Sequence, residues 1–593
     1  MHDEKLGDFT ASPRLILISL LALPVGYVSA YLALILLKLI GLFTNLFFYQ
    51  RWSFDAATPA TNRLGPWEIV VPIVGALIVG FMARYGSEKI RGHGIPEALE
   101  AILINGSRVE AKVAILKPLS SAISIGSGGP FGAEGPIIMT GGAFGSLIAQ
   151  VFRLTSAERK TLLVAGAAGG MSATFAAPVA AVLLAVELLL FEWKPRSLVP
   201  VAVASVAACA TRRVLLGMGP LFPAPPHPAF IGLDGLFGCV IAGLLAGVLS
   251  ALLTAAVYAS EDFFQKIPIH WMWWPALGGL VIGLGGLIFP QALGTGYATI
   301  AALLQGDVAR NAILGILLVK SVIWSVSLGS GTSGGVLAPL LMMGGALGGI
   351  EASFLPHMGV GFWPLVSMGA ILGGTMRSPF TGVIFMLELT HDINMLLPLL
   401  LAVSLAHGFT VLVLKRSILT EKLARRGYHL SREYAVDPLE LLFARDVMRK
   451  NVVAFPADAD CAEARAALKP KRDKRAQLLY PVVSGDGRLE GVITRNDLQE
   501  LEDTDCSRKL MDIAHKDPVV AHPGEPLRVL VHRMAETGFT RLPVVSHDRK
   551  LAGMISLHDL LRARNRSLDE EQRRERVLQI RLPFKSRPVV TPQ

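Results

Sequence analysis

The chain has 593 residues, 52% hydrophobic and 17% charged, with a mean hydropathy of +0.51. A soluble domain is less apolar and more charged, so most of this chain belongs in lipid. The net charge of +10 does not call for nucleic acid, because in membrane proteins Lys and Arg gather at cytoplasmic ends and near anionic lipid.

Apolar stretches of spanning length recur from about Leu15 to Leu414, among them Leu15 to Phe48, Pro66 to Ala83, Leu233 to Ala256 and Met272 to Phe289. The first is too long for a cleaved signal peptide and is read as retained. Others, such as Ala111 to Ser127, are short or glycine-rich. Within this region one twelve-residue pattern occurs twice, as Ile125-Gly-Ser-Gly-Gly-Pro-Phe-Gly-Ala-Glu-Gly-Pro136 and Leu328-Gly-Ser-Gly-Thr-Ser-Gly-Gly-Val-Leu-Ala-Pro339. Lys117 and Lys320 precede the copies with the same spacing of 203 positions, and Pro178 with Glu187-Leu188 is echoed by Pro379 with Glu388-Leu389 at a spacing of 201. The expected repeat halves are about 66–217 and 271–416 of a membrane domain covering 1–433.

Glycine and proline runs within apolar sequence mark interrupted helices. Non-helical backbone at membrane depth survives only inside protein or along a cavity, and paired interruptions in two halves point to a transport site. Helix N-termini meeting there offer N–H groups and the positive dipole end, which suits an anion. Glu134 lies within the first copy, and an acid at membrane depth is a functional candidate by default. It can compete with an anion for the same N–H cradle. A plain helix-capping role should recur in both copies, whereas Leu337 fills the matching position in the second.

Basic residues Arg416, Lys422, Arg425 and Arg426 follow the last apolar stretch and place what comes after in the cytoplasm. After about Tyr434 charges become frequent and a second duplication appears. Ala444 to Phe455 parallels Lys509 to Val520, and Tyr480 to Asp497 parallels Leu542 to Asp559. Short apolar strands, a polar turn and a helix opened by Asp make an α/β unit. Cys209, Cys239, Cys461 and Cys506 have neither metal-ligand nor disulfide spacing.

Gly92-His-Gly-Ile-Pro96, Gly132-Ala-Glu-Gly-Pro136 and Gly335-Val-Leu-Ala-Pro339 resemble the three anion-site signatures of the CLC family of chloride channels and proton-coupled chloride exchangers. The α/β repeat resembles a tandem pair of CBS domains, at 444–502 and 508–564, followed by a tail at 565–593. The resemblance implies an all-α polytopic membrane protein of CLC type, an inverted repeat with broken helices, plus a cytoplasmic α/β tandem CBS domain. It also implies a homodimer with one pore per subunit, chloride or a similar small anion as substrate, and no catalytic activity. Carried over, the gate is Glu134 and the anion site comprises Gly92, His93, Gly94, Ile95, Pro96, Gly132, Ala133, Gly135, Pro136, Gly335, Val336, Leu337, Ala338 and Leu419.

Several positions depart from the family pattern. His93 stands where a serine is usual, and its imidazole would either donate N–H to an anion or face an aqueous vestibule. Leu337 replaces an aromatic, and Leu419 a tyrosine that closes the inner side. Leu188 stands where exchangers carry an inner glutamate; Glu187 is a neighbouring acid, Glu192 a replacement candidate and Glu388 a structural acid. Leucine cannot relay a proton, which favours a passive, glutamate-gated chloride channel over a proton-coupled chloride or fluoride antiporter. In the CBS pair Thr494, Asp497, Ser556 and Asp559 would hold an adenine nucleotide, with helix capping by each Asp as the competing role; Lys469 to Arg475 would either assist with phosphate or form a solvated charge run. Anion passage itself requires no cofactor or metal. A divalent-cation transporter would need acids converging in the pore, and a serine-type membrane enzyme built on the Gly-Ser-Gly turns with His407 lacks companion motifs.

Overall fold

The computed structural model describes residues 13–103, 105–152, 154–425, 439, 442–466, 477–500 and 509–572. Arg426, Cys506, the 469–475 run and the tail beyond 572 lie outside them. The chain forms two compact units, Met1–Arg432 and Glu433–Gln593.

The first unit is built of helices and the turns and loops between them, with no named strand among its described residues. Seven of its described helices are long and apolar enough to cross a membrane, including α1 (Arg14–Tyr49), α2 (Val70–Tyr85, with the turn before it), α8 (Pro195–Leu215), α9 (Leu233–Lys266) and α16 (Leu396–Val413). The chain is interrupted between α4 (Ala111–Gly126) and α5 (Glu134–Val151) in the first half, and between α12 (Arg310–Gly329), itself one of the seven, and α13 (Leu337–Glu351) in the second. The break has the same cause in both copies. Gly128 and Gly331 sit at φ +101° and +84°, a region a residue with Cβ enters only under strain. The hydroxyls of Ser127 and Ser330 donate back to Ser124 O (3.0 Å) and Ser327 O (2.7 Å), satisfying carbonyls that the ended helix leaves open.

Close packing of α5 on α6 (Ser156–Phe175) follows from small residues. A Cβ on Gly141 would run into Gly166 O and one on Gly145 into Leu162 O, so the two backbones touch as small-xxx-small helices do in lipid. After α6 come α7 (Pro178–Leu184), continued as a π-helix over Ala185–Leu190, and in the second half α14 (Phe362–Met376) and α15 (Pro379–Thr390).

The second unit contains a four-stranded sheet in the order β1 (Phe455–Pro456), β2 (Leu479–Val483), β3 (Leu489–Thr494), β4 (His515–Lys516), and a β5 (Arg541–Val545) and β6 (Leu551–Ser556) pair. β2–β3 and β5–β6 are antiparallel with the same bulge near their Val-Val ends, as the duplication requires. The short lead-in helices are exchanged between repeats. Ala444 packs with Leu527, Leu530 and Leu542 in one core, whereas Leu510 packs with Tyr480, Val482 and Ile493 in the other. Each repeat therefore depends on the other for a complete core.

Candidate functional site

The site is assembled from two glycine turns, each fixed by a buried lysine. In the first, Gly92 and Gly94 adopt φ +78° and +90° ahead of α3 (Ile95–Leu103). Lys117 Nζ donates to Ile90 O (2.8 Å), Gly92 O (2.7 Å) and Ser333 Oγ (3.2 Å). In the second, Gly294 and Gly296 adopt φ +63° and +72° ahead of α11 (Tyr297–Gln305), and Lys320 Nζ donates to Ala292 O (2.8 Å) and Gly294 O (2.9 Å). Both lysines are fully buried, and these carbonyl acceptors are what makes a buried ammonium tolerable. Sequence reading missed the second turn. Gly294-Thr-Gly-Tyr297 follows Gly92-His-Gly-Ile95 by 202 positions, one short of the main spacing, and that near-coincidence was the available signal.

The three signatures meet at one point. Gly132 N–H donates to Gly335 O (3.1 Å) and Gly335 N–H to Gly132 O (2.8 Å), while Gly92 N–H reaches Thr332 O (3.2 Å). The Gly132 and Gly335 segments run antiparallel, so α5 and α13 leave the junction in opposite senses. One expectation is corrected here: the amides of Gly132 and Gly335 are spent on this reciprocal pair and are not open to an anion. The Gly94 amide is also taken, by Glu97 Oε2 at 2.9 Å. The first intrahelical bonds of α5 and α13 start from Ile137 and Leu340. The amides of Glu134, Gly135, Leu337 and Ala338 therefore have no acceptor within their helices; Pro136 and Pro339 carry none.

Glu134 is fully buried at this point. Its carboxylate is folded so tightly against the turn that a Cβ on Gly132 would collide with it, and one on Gly335 would lie 2.8 Å from its Oε2. Tyr297 Oη donates to Oε1 at 3.3 Å, Oε2 lacks a hydrogen-bond partner, and the amides of Glu134 and Ala338 act on the carboxylate. Ile95, Ala133, Val336, Leu337 and Ala338 are themselves buried.

On the other side of the first turn, His93 is 5% exposed with a buried, unpartnered Nδ1 and borders a cavity of about 720 Å³ also lined by Arg91, Glu97, Lys422, Trp271 and Trp274. Glu97 Oε1 pairs with Lys422 Nζ at 2.5 Å, and the Arg91 guanidinium lies 4.5 Å from the Trp271 ring centre. Leu419 is fully buried in the turn ahead of α17 (Glu421–Arg425). A tyrosine does serve this turn, from α9: Tyr258 Oη donates to Ile418 O at 2.5 Å.

The acids after Pro178 and Pro379 act across the two halves. Glu187 accepts from Phe380 N–H (3.2 Å), Thr381 N–H (2.8 Å) and Thr381 Oγ1 (2.6 Å), at the start of α15. Glu388 accepts from Val179 and Ala180 N–H (2.9 and 2.8 Å), at the start of α7. Each half caps a helix of the other. Leu188 is fully buried in the π-helical segment. Glu192 bonds Ser197 Oγ (2.7 Å) and faces Lys194 (3.3 Å) and Arg196 (3.8 Å), so it serves as a counter-ion in a cationic cluster.

In the second unit Thr494 and Ser556 are the capping residues, and each Asp completes the box three positions on. Thr494 N–H donates to Asp497 Oδ2 (2.8 Å) and Asp497 N–H to Thr494 Oγ1 (3.2 Å). Ser556 N–H donates to Asp559 Oδ2 (3.0 Å), and Asp559 Oδ1 pairs with Arg449 (3.1 Å). This is the reciprocal capping arrangement of S/T-x-x-acid sequences.

Comparison with known proteins agrees with this geometry. The profile of the voltage gated chloride channel family matches residues 74–410, and the CBS domain profile matches 444–502 and 510–566. A ClcB-like protein of Ralstonia nicotianae that carries a chloride-channel name is 30% identical over 60% of this chain and 85% of its own. The H(+)/Cl(-) exchange transporter ClcA of Klebsiella pneumoniae is 30% identical over 57% of this chain and 74% of its own. Among solved structures, a eukaryotic CLC transporter aligns over 92% of this chain and 98% of its own at 19% identity, with a TM-score of 0.58. A slow cyanobacterial Cl-/H+ antiporter aligns over 70% of this chain and 99% of its own at 20% identity, with a TM-score of 0.61. With its duplicated signatures joined across one junction and its profile matched over most of the membrane unit, the chain is a member of the CLC chloride channel and transporter family, a multi-pass membrane protein rather than an enzyme, and it carries a tandem pair of CBS domains.

Proposed function

We propose that this protein is a passive channel for chloride or a similar small anion, gated by Glu134. The observation that carries the reading is the fully buried Glu134 carboxylate lying against Gly132 and Gly335, where two helices begin. A carboxylate there stands in for an anion at the same donors and leaves when protonated or outcompeted. Leu188, where an exchanger has its inner acid, favours passive conduction. By family resemblance the protein works as a homodimer in the cell membrane with its CBS pair in the cytoplasm, where the pair regulates conduction.

The second reading is a proton-coupled chloride or fluoride antiporter. It draws support from relatives named as exchange transporters and from a fold shared with antiporters. Purified protein in vesicles separates the two: a chloride gradient drives no uphill proton movement through a channel, and stoichiometric proton movement would establish the exchanger. The capping boxes at Thr494/Asp497 and Ser556/Asp559 favour a structural role for those residues. Calorimetry with adenine nucleotides tests that: no heat is expected, and heat abolished by Asp497→Ala with Asp559→Ala would restore the nucleotide site.

A further inference from the structure

The two glycine turns differ in the residue that follows the second glycine: Ile95 opens α3, whereas Tyr297 opens α11. Ile95 has no polar group to offer. Tyr297 has one, and it reaches Glu134. We propose that Tyr297 is a positioning residue for the gate, its hydroxyl latching the Glu134 carboxylate at the junction of α5 and α13. This rests on the reading of Glu134 as the gate.

The ring has a fixed seat. Lys320 ties the turn before it through Ala292 O and Gly294 O. The ring packs against Phe175 (centroids 6.5 Å apart, 79°) and Phe222 (5.9 Å, 59°). Phe222 is itself buried, with its N–H held by Leu389 O at 3.0 Å. What the seat leaves to Tyr297 is the direction of its hydroxyl, which donates to Glu134 Oε1 at 3.3 Å. That is the one side-chain hydrogen bond to this carboxylate among the described residues. Glu134 is fully buried, and Tyr297 less so.

The chemistry gives the latch a direction. A neutral phenol donates to a carboxylate, and a bond to an ionised acceptor is stronger than one to its neutral form. Holding the carboxylate therefore favours the occupied, closed arrangement; protonation of Glu134 weakens the bond, and an arriving anion has to displace it. A charged group acting on Glu134 is Lys320 on α12. Lys117 on α4 serves the first turn instead.

The experiment is chloride efflux from vesicles reconstituted with full-length protein, measured from pH 4 to 8 for wild type, Tyr297→Phe, Glu134→Ala and the double variant. Tyr297→Phe removes the hydroxyl and keeps the ring. It is expected to raise efflux at neutral pH about tenfold, the equivalent of one charge-assisted hydrogen bond at the low end of its range, and to move half-maximal efflux up by about one pH unit. In the Glu134→Ala background it is expected to change nothing. Tyr297→Ile, which copies the first turn, gives the same result if Tyr297→Phe yields too little protein. If Glu134→Ala raises efflux but Tyr297→Phe matches wild type in rate and pH profile, the latch is wrong and the gate stands. Equal effects of Tyr297→Phe in both backgrounds also overturn the latch, because the tyrosine would then act on the anion path itself. If Glu134→Ala changes neither rate nor pH dependence, the gating reading falls and takes the latch with it.

Discussion

Gly132→Ala should open the gate without touching the gate residue. The atoms that an added Cβ at 132 would meet first all belong to the Glu134 carboxylate, which is the free end of a rotatable side chain. The collision is relieved by swinging that side chain away, at the loss of its Tyr297 hydrogen bond and of its place near the Ala338 amide. One hydrogen bond to a charged group contributes about 1.5–3 kcal/mol. A shift of about 2 kcal/mol in the balance between closed and open arrangements is roughly 30-fold. Chloride efflux from reconstituted vesicles at pH 7.5 should rise by that order, up to the ceiling set by Glu134→Ala, and its pH dependence should flatten. Gly135→Ala is the contrast, since its Cβ would strike His93 O and lie 3.1 Å from Gly335 Cα. Backbone cannot step aside, and overpacking of this kind costs about 1–3 kcal/mol. Gly135→Ala should therefore lose folded protein and gain no flux. The reasoning is refuted if monodisperse Gly132→Ala protein conducts like wild type, or if the substitution still raises flux in a Glu134→Ala background.

Two further outcomes follow from the capping contacts and the regulatory unit. Thr381→Val should lower the unfolding midpoint in detergent by an amount equivalent to about 1.5 kcal/mol, through loss of the 2.6 Å bond to Glu187. The same change should have no effect once Glu187 is alanine, and a cycle showing full additivity would contradict the cross-repeat cap. In the CBS pair, burial pushes the Glu525 carboxyl up, but hydrogen bonds from Arg533 and from His522 N–H outweigh it and leave the group below its ordinary value. A carboxylate depressed in the folded state contributes stability that is complete above the unfolded value near 4.5 and is lost as pH falls through the folded one. Protection from hydrogen exchange over residues 519–545, taken relative to the intrinsic rate at each pH, should fall more steeply below about pH 4.5 in wild type than in Glu525→Gln, and identical profiles would count against this.

The repeat and its breaks were readable because a glycine that must take positive φ leaves a fixed spacing in the chain, as Gly128 and Gly331 do. The CBS pair was readable because Thr494-x-x-Asp497 and Ser556-x-x-Asp559 follow a strand in both copies. What escaped notice depended on contacts between distant segments. Nothing local to Gly132 or Gly335 says that their amides pair with each other, so the sequence alone leaves both open to the anion. Glu388 is legible as a helix-end acid, but neither its target on α7 nor the matching role of Glu187 on α15 follows from periodicity. Tyr297 was hidden by a one-residue slip in the repeat and by its replacement of isoleucine. Tyr258 was hidden because it reaches the Leu419 turn from a helix about 160 residues earlier.

The claim on which the rest depends is that an anion and the Glu134 carboxylate compete for one position. Bromide substitutes for chloride and scatters anomalously, so crystals of wild type and Glu134→Ala soaked at pH 7.5 test it directly. Competition predicts a bromide peak beside the amides of residue 134 and Ala338 in Glu134→Ala, and an empty position at that spot in wild type, where the carboxylate lies. Equal peaks in both proteins, or no peak in either, would contradict it.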